Sequence, residues 1–366
     1  MSASSSTDLA GLRLLLVGPV PPPAGGMANQ TRQLGELLGR EGVQVLPLAT
    51  NAPYRPTWVA SWRGLRAVAR LVAYVLDLWR GCGRAELVHV MANSGWSWHL
   101  FAAPAIWVAH LRGRPVVVNY RGGEAAEFLA RAVQWVRPSL HRCARLVVPS
   151  GFLLDVFGRH QLPAEVVPNI VDTQRFQPAA PPGGSFHVVV ARNLEPIYDN
   201  ASALRALAAL RRHRPDVHMT VAGTGPELER LRALALELGV VQAVRFAGRL
   251  EREAMAALYQ SAHALLNTSL VDNMPNSLLE AMASGVPVVS TRVGGVPYVV
   301  QDGVTALLVP PGDAEAMAAA LLRVAQEPAL WGALRERGLR EVQQYTWAQV
   351  APRWAAVYRD ALATRS

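Results

Sequence analysis

Two kinds of apolar spacing alternate along the chain. Short runs rich in Val, Leu and other apolar residues occur at Leu12–Val17, Val43–Leu48, Leu87–Met91, Pro115–Asn119 and Arg145–Pro149, and each precedes a helix-like or loop segment. That alternation predicts a parallel sheet wrapped by helices. A Pro/Gly-rich stretch, QPAAPPGGS from Gln177 to Ser185, interrupts the pattern. It restarts at Phe186–Val190 and continues through Val217–Ala222, Val244–Ala247, Ala264–Leu266, Pro287–Ser290 and Ala306–Val309. The expected organisation is two doubly wound α/β domains, 1–176 and 186–345, with 346–366 as a terminal helix packing back on the first. In such folds ligands are expected beyond the carboxyl ends of the strands and in the cleft between the domains.

Length agrees with two domains, because 366 residues at 51% apolar content exceed what one ordinary core holds. No uninterrupted apolar run reaches the roughly 18 residues of a spanning helix. The N-terminus, MSASSSTDLAGLRLLLVGP, has no basic segment ahead of its apolar run and reads as a first strand rather than a signal peptide. Two widely separated cysteines, Cys82 and Cys143, form neither a disulfide framework nor a metal-ligand pattern. The expected location is the cytoplasm.

Charge changes the picture for the front half. All 36 basic residues are arginine, and up to Arg175 there are 18 of them against 10 acids, an excess of 8. The rest of the chain has 18 against 17, an excess of 1. A field of this kind suits nucleic acid, an anionic membrane or a phosphorylated substrate. Nucleic acid is disfavoured because no aromatic and basic recognition motif accompanies the charge. From Trp58 to Arg80, apolar residues recur at Trp58, Trp62, Leu65, Ala69, Val72, Leu76 and Trp79, with Arg63, Arg66 and Arg70 on an adjoining face. This is either an interfacial helix or a core-facing helix with solvated arginines. The front-half charge favours an anionic membrane.

Glycine clusters sit where strands hand over to helices. Gly25 and Gly26 precede the helical stretch Ala28–Arg40, Gly223 and Gly225 follow the strand ending at Ala222, and Gly294 and Gly295 follow the strand ending at Ser290. Each serves either a tight turn or the approach of backbone amides to an anion. None continues as the G-x-G-x-x-G of a dinucleotide fold, since Gly223-Thr224-Gly225 is followed by Leu228 at the third glycine position. In DNMPNSLLE, Pro275 suits a first helical turn, and Gly285 with Pro287 suits its end. Asn276 and Glu280 are then one turn apart on one face, leaning toward the helix N-terminus. Glu280 is there either a solvated helix acid or an acceptor for ribose hydroxyls whose phosphates rest on the helix amides; Asp272 is a cap or holds a second hydroxylated group. The histidines His89, His99 and His110 flank the tryptophan-rich MANSGWSWHLFAAPAIW, either lining an acceptor site or serving as core and surface residues. No zinc-type histidine spacing occurs.

The stretch from Asp272 to Glu280, continued in LLEAMASGVPVVSTRVGGVPYVV, resembles the E-x7-E motif of retaining GT-B glycosyltransferases, the large family that includes sucrose synthases, phosphatidylinositol mannosyltransferases and many bacterial surface-polysaccharide enzymes. The similarity covers nearly the whole chain. It implies a GT-B fold, two Rossmann-like doubly wound domains facing a cleft. By the resemblance, Glu280 binds the donor ribose and Asp272 contacts the donor sugar. Amides of Asn276 and Ser277 meet the diphosphate, Arg192 neutralises it as it leaves, and Gly25 and Gly26 face it from the first domain. The reaction so implied needs no metal or cofactor and moves a sugar from a nucleotide diphosphate, expected to be UDP-linked, with retention.

Departures from the family are equally specific. The family lysine five positions after its arginine is Ile197 here, and the acid after the second glycine pair is Tyr298. The family's first acid is glutamate where this chain has Asp272. Its sugar-contacting histidine falls near Tyr120 and Arg121. Arg249 or Arg292 is a candidate for the missing cation. The expected activity is transfer to a lipid-linked or glycan acceptor in envelope or exopolysaccharide synthesis, at the inner face of the plasma membrane. The alternative is a noncatalytic sugar-nucleotide or lipid-binding module on the same fold.

Overall fold

The computed structural model describes residues 9–21, 25–51, 65–180 and 183–364. It divides into two units, one formed by 1–170 with 347–366 and the other by 171–346. In the first, β1 (Arg13–Gly18), α1 (Gly26–Arg40), β2 (Gln44–Ala49) and α2 (Leu65–Arg84) lead to β3 (Leu87–Ala92). There follow α3 (Ala103–Leu111), β4 (Val116–Tyr120), α4 (Ala125–Leu140), β5 (Arg145–Val148), α5 (Gly151–Arg159) and the two-residue β6 (Glu165–Val166). The parallel sheet runs β2-β1-β3-β4-β5-β6.

Strand burial follows from this layering. Leu87–Ala92 and Val116–Tyr120 are buried at every position, because helices cover both faces. On one face Leu15, Val88, Val118 and Tyr120 pack against Tyr74, Leu78 and Ile106, and on the other Leu14, Leu16, Met91 and Val117 meet Leu34 and Leu38. Only β6 escaped the sequence pattern, being too short to show a period.

The second unit holds β7 (His187–Ala191), α6 (Asn200–Arg211), β8 (His218–Ala222), α7 (Leu228–Glu237), β9 (Val244–Gly248) and α8 (Arg252–Gln260). It continues with β10 (Ala264–Asn267), α9 (Asn276–Ala283), β11 (Val288–Thr291), β12 (Ala306–Val309), α10 (Ala314–Gln326) and α11 (Pro328–Glu341). Its sheet is also parallel, ordered β12-β11-β10-β7-β8-β9. The last helix, α12 (Trp347–Ala363), lies in the first unit. Its Val350, Trp354, Val357, Tyr358 and Ala361 form one buried stripe, and Tyr358 Oη and His89 Nδ1 share a 2.8 Å hydrogen bond. His89 is therefore a core residue.

The change of unit comes earlier than the Gln177–Ser185 linker expected from composition. Ile170 is tied to α1 through its backbone N–H donated to Gln30 Oε1 at 3.2 Å, whereas the Val171 N–H donates to Tyr345 O at 3.0 Å inside the second unit. The proline-rich stretch belongs to the second unit, where Arg335 donates to Ala179 O at 2.6 Å. Irregular composition marks where the chain lacks a period, and contacts switch elsewhere. Among the described residues no helix is long and apolar enough to cross a membrane.

Candidate active site at the carboxyl rim of the second sheet

The strand order of the second sheet reverses between β7 and β10, and the crevice above such a reversal is where open α/β sheets take ligands. Arg192 follows β7 directly and Asn267 ends β10. Arg192 Nε donates to Asn267 Oδ1 at 2.8 Å, and Nη2 forms an ion pair with Asp272 Oδ2. Asn267 is oriented in turn by donating Nδ2 to Ser290 Oγ at 2.9 Å and accepting from Ser269 Oγ at 2.9 Å. Asp272 also accepts from Ser269 Oγ and from the Asn273 backbone N–H, both at 3.0 Å. With side-chain exposures of 13% and 12%, the pair is largely out of water. Further hydrogen bonds support a pair removed from water, and here Asn267 takes Arg192 Nε while Ser269 and the Asn273 amide donate to Asp272. The guanidinium also lies 5.2 Å from the centre of the Tyr198 ring.

Past Asp272 the chain enters α9. Pro275 occupies the N-cap position and makes no side-chain cap bond, and the N-terminus of α9 carries the partial positive charge of a helix start, which attracts an anion. Ser277 Oγ is buried in that turn with no partner among the described residues. One turn on, Glu280 Oε2 accepts from the hydroxyl of Tyr259 at 3.2 Å. Burial pushes the Glu280 carboxyl up to about 7, against the pull of the Tyr259 hydroxyl, Arg252 and Arg192. Burial and the Glu280 charge likewise hold the Tyr259 phenol protonated.

Arg192, Asp272, Asn276, Ser277 and Glu280 thus gather on one rim. Gly223 and Gly225 have a packing role at this rim. A Cβ at Gly223 would overlap the carbonyl oxygen of Arg192, and one at Gly225 would overlap that of Leu194. Their bare faces let the loop after β8 close on the loop after β7, sealed by Leu194 N–H to Thr224 O at 3.0 Å. These glycines seat Arg192. Gly295 does the same for the Asp272 loop, since its Cβ would overlap Asn273 O. Arg249 follows the edge strand β9 and pairs with Glu251 at 3.3 Å, and Arg292 pairs with Asp302. Neither is bonded to the Arg192 cluster.

In the first unit the candidate residues separate. Gly25 caps α1 with extended backbone, nothing stands within 4 Å of a Cβ built on it, and Gly26 begins the helix. His99 is exposed and meets Trp96 and Phe128 edge-on. Tyr120, expected on the acceptor side, is instead fully buried between Trp98 and Phe157, its hydroxyl 2.7 Å from Ser94 Oγ. Arg121 bonds Asn169, and burial lowers its guanidinium to about 10.

The chain is also similar to known proteins. Residues 171–340 match the family described as Glycosyl transferases group 1, and residues 24–175 match Glycosyltransferase Family 4. The two halves of the chain thus match two glycosyltransferase families, one after the other. A glycogen synthase of Mycobacterium tuberculosis is 28% identical over 95% of this chain and 94% of its own length. A D-inositol 3-phosphate glycosyltransferase of Saccharomonospora viridis is 34% identical over 53% of this chain and 49% of its own length. Among solved structures, sucrose-phosphate synthase from Thermosynechococcus elongatus superposes with a TM-score of 0.75 at 21% identity, covering 96% of this chain and 100% of the other. Anabaena HepE, solved in complex with UDP and glucose, gives 0.73 at 16% identity, covering 95% and 99%. Both share the GT-B fold with this glycosyltransferase.

Four residues of the rim cluster were not singled out from sequence: Asn267, Ser269, Tyr198 and Tyr259. Asn267 carried a signal, being a polar residue closing the apolar run ALLN. Tyr198 and Tyr259 carried none, because a tyrosine in a turn or on a helix face is unremarkable until its neighbours are known.

Proposed function

We propose that this glycosyltransferase moves a sugar, with retention and without a metal, from a UDP-linked donor to a lipid-linked or glycan acceptor of envelope polysaccharide synthesis. The observation that carries the reading is Arg192 at the strand-order reversal, paired with Asp272 in the loop that leads into α9, the helix that carries Glu280. A diphosphate over the α9 amides meets Arg192, and Glu280 accepts from the ribose hydroxyls. In the reaction the bond from the anomeric carbon to the phosphate oxygen breaks, with its electron pair leaving on phosphate. The acceptor oxygen bonds to the same face of that carbon, and its proton passes to the departing phosphate. Arg192 and the helix amides stabilise the growing charge. The choice of UDP is supported by neighbours solved with it, including HepE and a pneumococcal O-GlcNAc transferase in complex with UDP and GlcNAc.

An anionic membrane surface is supported by α2. Its Leu71, Tyr74, Val75 and Leu78 turn to the core, while Val68, Val72, Leu76 and Trp79 stay 61%, 53%, 50% and 45% exposed in a second apolar stripe. Arg70, expected to face lipid, instead donates to Thr50 O at 2.7 Å and lies 5.5 Å from the Phe101 ring. Trp58, Trp62 and Arg63 lie outside the described residues. Turnover of UDP-, GDP- and ADP-sugars with and without EDTA, followed by NMR of the anomeric product, tests donor, metal independence and retention together. Binding of a nucleotide sugar without any turnover would favour the noncatalytic module, which the isoleucine at 197 makes the competing reading.

A further inference from the structure

Arg192 is held on three sides, and two of them oppose the role it is given. Nε is taken by Asn267 and Nη2 by Asp272, which draw the guanidinium toward the loop after β10. Among the described residues Nη1 has no partner. The third side is the ring of Tyr198, 5.2 Å from the guanidinium carbon. This ring is itself built in. The Thr268 hydroxyl donates to Tyr198 O at 2.7 Å, and the Leu270 N–H donates to Ile197 O at 2.8 Å. Asp199 next to it takes a left-handed conformation, φ 44°, which aspartate tolerates better than most non-glycine residues, and caps α6 by accepting from Ser202 N–H at 3.2 Å and from its hydroxyl at 2.6 Å. The turn that carries Tyr198 is thus pinned at both ends to elements flanking the site.

Building on the donor-site reading, we infer that Tyr198 is a positioning residue: its ring fixes the plane of the Arg192 guanidinium so that Nη1 is presented to the donor diphosphate while Asp272 holds Nη2. The aromatic face attracts the cation without competing for any N–H, which a carboxylate or an amide would do. It also covers one face of the guanidinium against water, so the charge acts through a lower local dielectric on the phosphate oxygens. Tyr198 stands beside Ile197, and the arrangement supplies by fixing one cation what a second, mobile cation would supply by number. The phenol is held above its usual value by burial first, with Arg192 pulling the other way, so the ring remains a neutral quadrupole through the working pH range.

The test uses the full chain with four variants: Tyr198→Leu, Tyr198→Phe, Arg192→Gln and the double Arg192→Gln/Tyr198→Leu. Binding of UDP and UMP is measured by calorimetry, and nucleotide-sugar turnover by coupled assay. Loss of the ring is expected to lower kcat by about tenfold, the scale of a desolvated cation–aromatic contact, with a smaller change in donor KM. UDP binding should weaken while UMP binding holds, and the melting temperature should move little. Tyr198→Phe keeps the ring and should recover most of the loss. The double variant should be no worse than Arg192→Gln, because the ring acts through Arg192. Wild-type behaviour of Tyr198→Leu, additive losses in the double variant, or equal damage from Phe and Leu would overturn the assignment. A wild-type chain that binds no UDP, GDP or ADP would overturn the donor site itself, and Tyr198 with it.

Discussion

Arg192 and Asp272, 80 residues apart in the chain, form a nearly buried ion pair across the strand-order reversal of the second sheet. The resemblance to retaining enzymes assigned them to different parts of a donor, one to the diphosphate and one to the sugar. Their pairing means the site is close to neutral before a ligand arrives. A diphosphate then meets a cation whose desolvation has already been compensated by Asp272, Asn267 and Tyr198.

Breaking that pair from one side should be costly to the fold. Asp272→Ala leaves a largely buried guanidinium with one partner lost, and the expected destabilisation is roughly 3 kcal/mol. Glu229→Ala removes the exposed partner of Arg232 and should stay within about 0.5 kcal/mol. Urea unfolding of both variants checks the contrast, and equal small effects would show the Asp272 pair to be solvated.

Arg192→Gln keeps hydrogen-bonding capacity but removes the charge. Because its partner charge grows only as the diphosphate leaves, kcat should fall about a hundredfold or more while donor KM changes less. Steady-state kinetics with the best nucleotide sugar decide it, and a change confined to KM would make Arg192 a binding group only.

Glu280 makes donor binding depend on pH. Its carboxyl titrates near 7 in the fold against an ordinary 4.5, so the folded chain holds the extra proton between these values. The stability from this group is present below pH 4.5 and is lost as pH rises toward 7. Donor affinity runs the other way, since the ionised carboxylate is the better acceptor for ribose hydroxyls. Affinity for a UDP-sugar, which lacks a titrating terminal phosphate, should therefore rise through about pH 7. Glu280→Gln should bind about tenfold more weakly at pH 8 and flatten the profile. Calorimetric titrations from pH 6 to pH 8 measure both.

Gly223→Ala and Gly25→Ala should differ sharply. The first drives a methyl into the Arg192 carbonyl, whereas the second meets open space. Overpacking of this kind destabilises by about 1–3 kcal/mol and here also moves Arg192, so donor binding should weaken with stability. Gly25→Ala should leave thermal stability within experimental error.

The exposed stripe on α2 is checked by co-sedimentation with anionic vesicles. Val72→Ser/Leu76→Ser/Trp79→Ser should remove the salt-insensitive part of binding, while raising salt removes the electrostatic part contributed by the arginine-rich front unit, about 1 kcal/mol per arginine near the surface. Full retention of the variant on vesicles at high salt would assign the stripe to a protein partner.

Element type was legible in the sequence because it is a local property. A buried parallel strand needs an unbroken apolar run, and a helix end needs proline or glycine where φ and the missing hydrogen-bond partners demand them, so eleven strand positions and the start of α9 could be read from neighbouring residues alone. The E-x7-E resemblance then pointed to Arg192, Asn276, Ser277 and Glu280. What the residue order did not contain was strand order. Only the folded sheet sets β10 beside β7, and only that adjacency joins Arg192 to Asn267 and Asp272, turns Tyr198 over the guanidinium and buries Glu280 against Tyr259 until its carboxyl titrates near 7. The same holds for Tyr120, whose side of the sheet was fixed by register. Periodicity states that a residue is buried; contacts between distant segments decide against what.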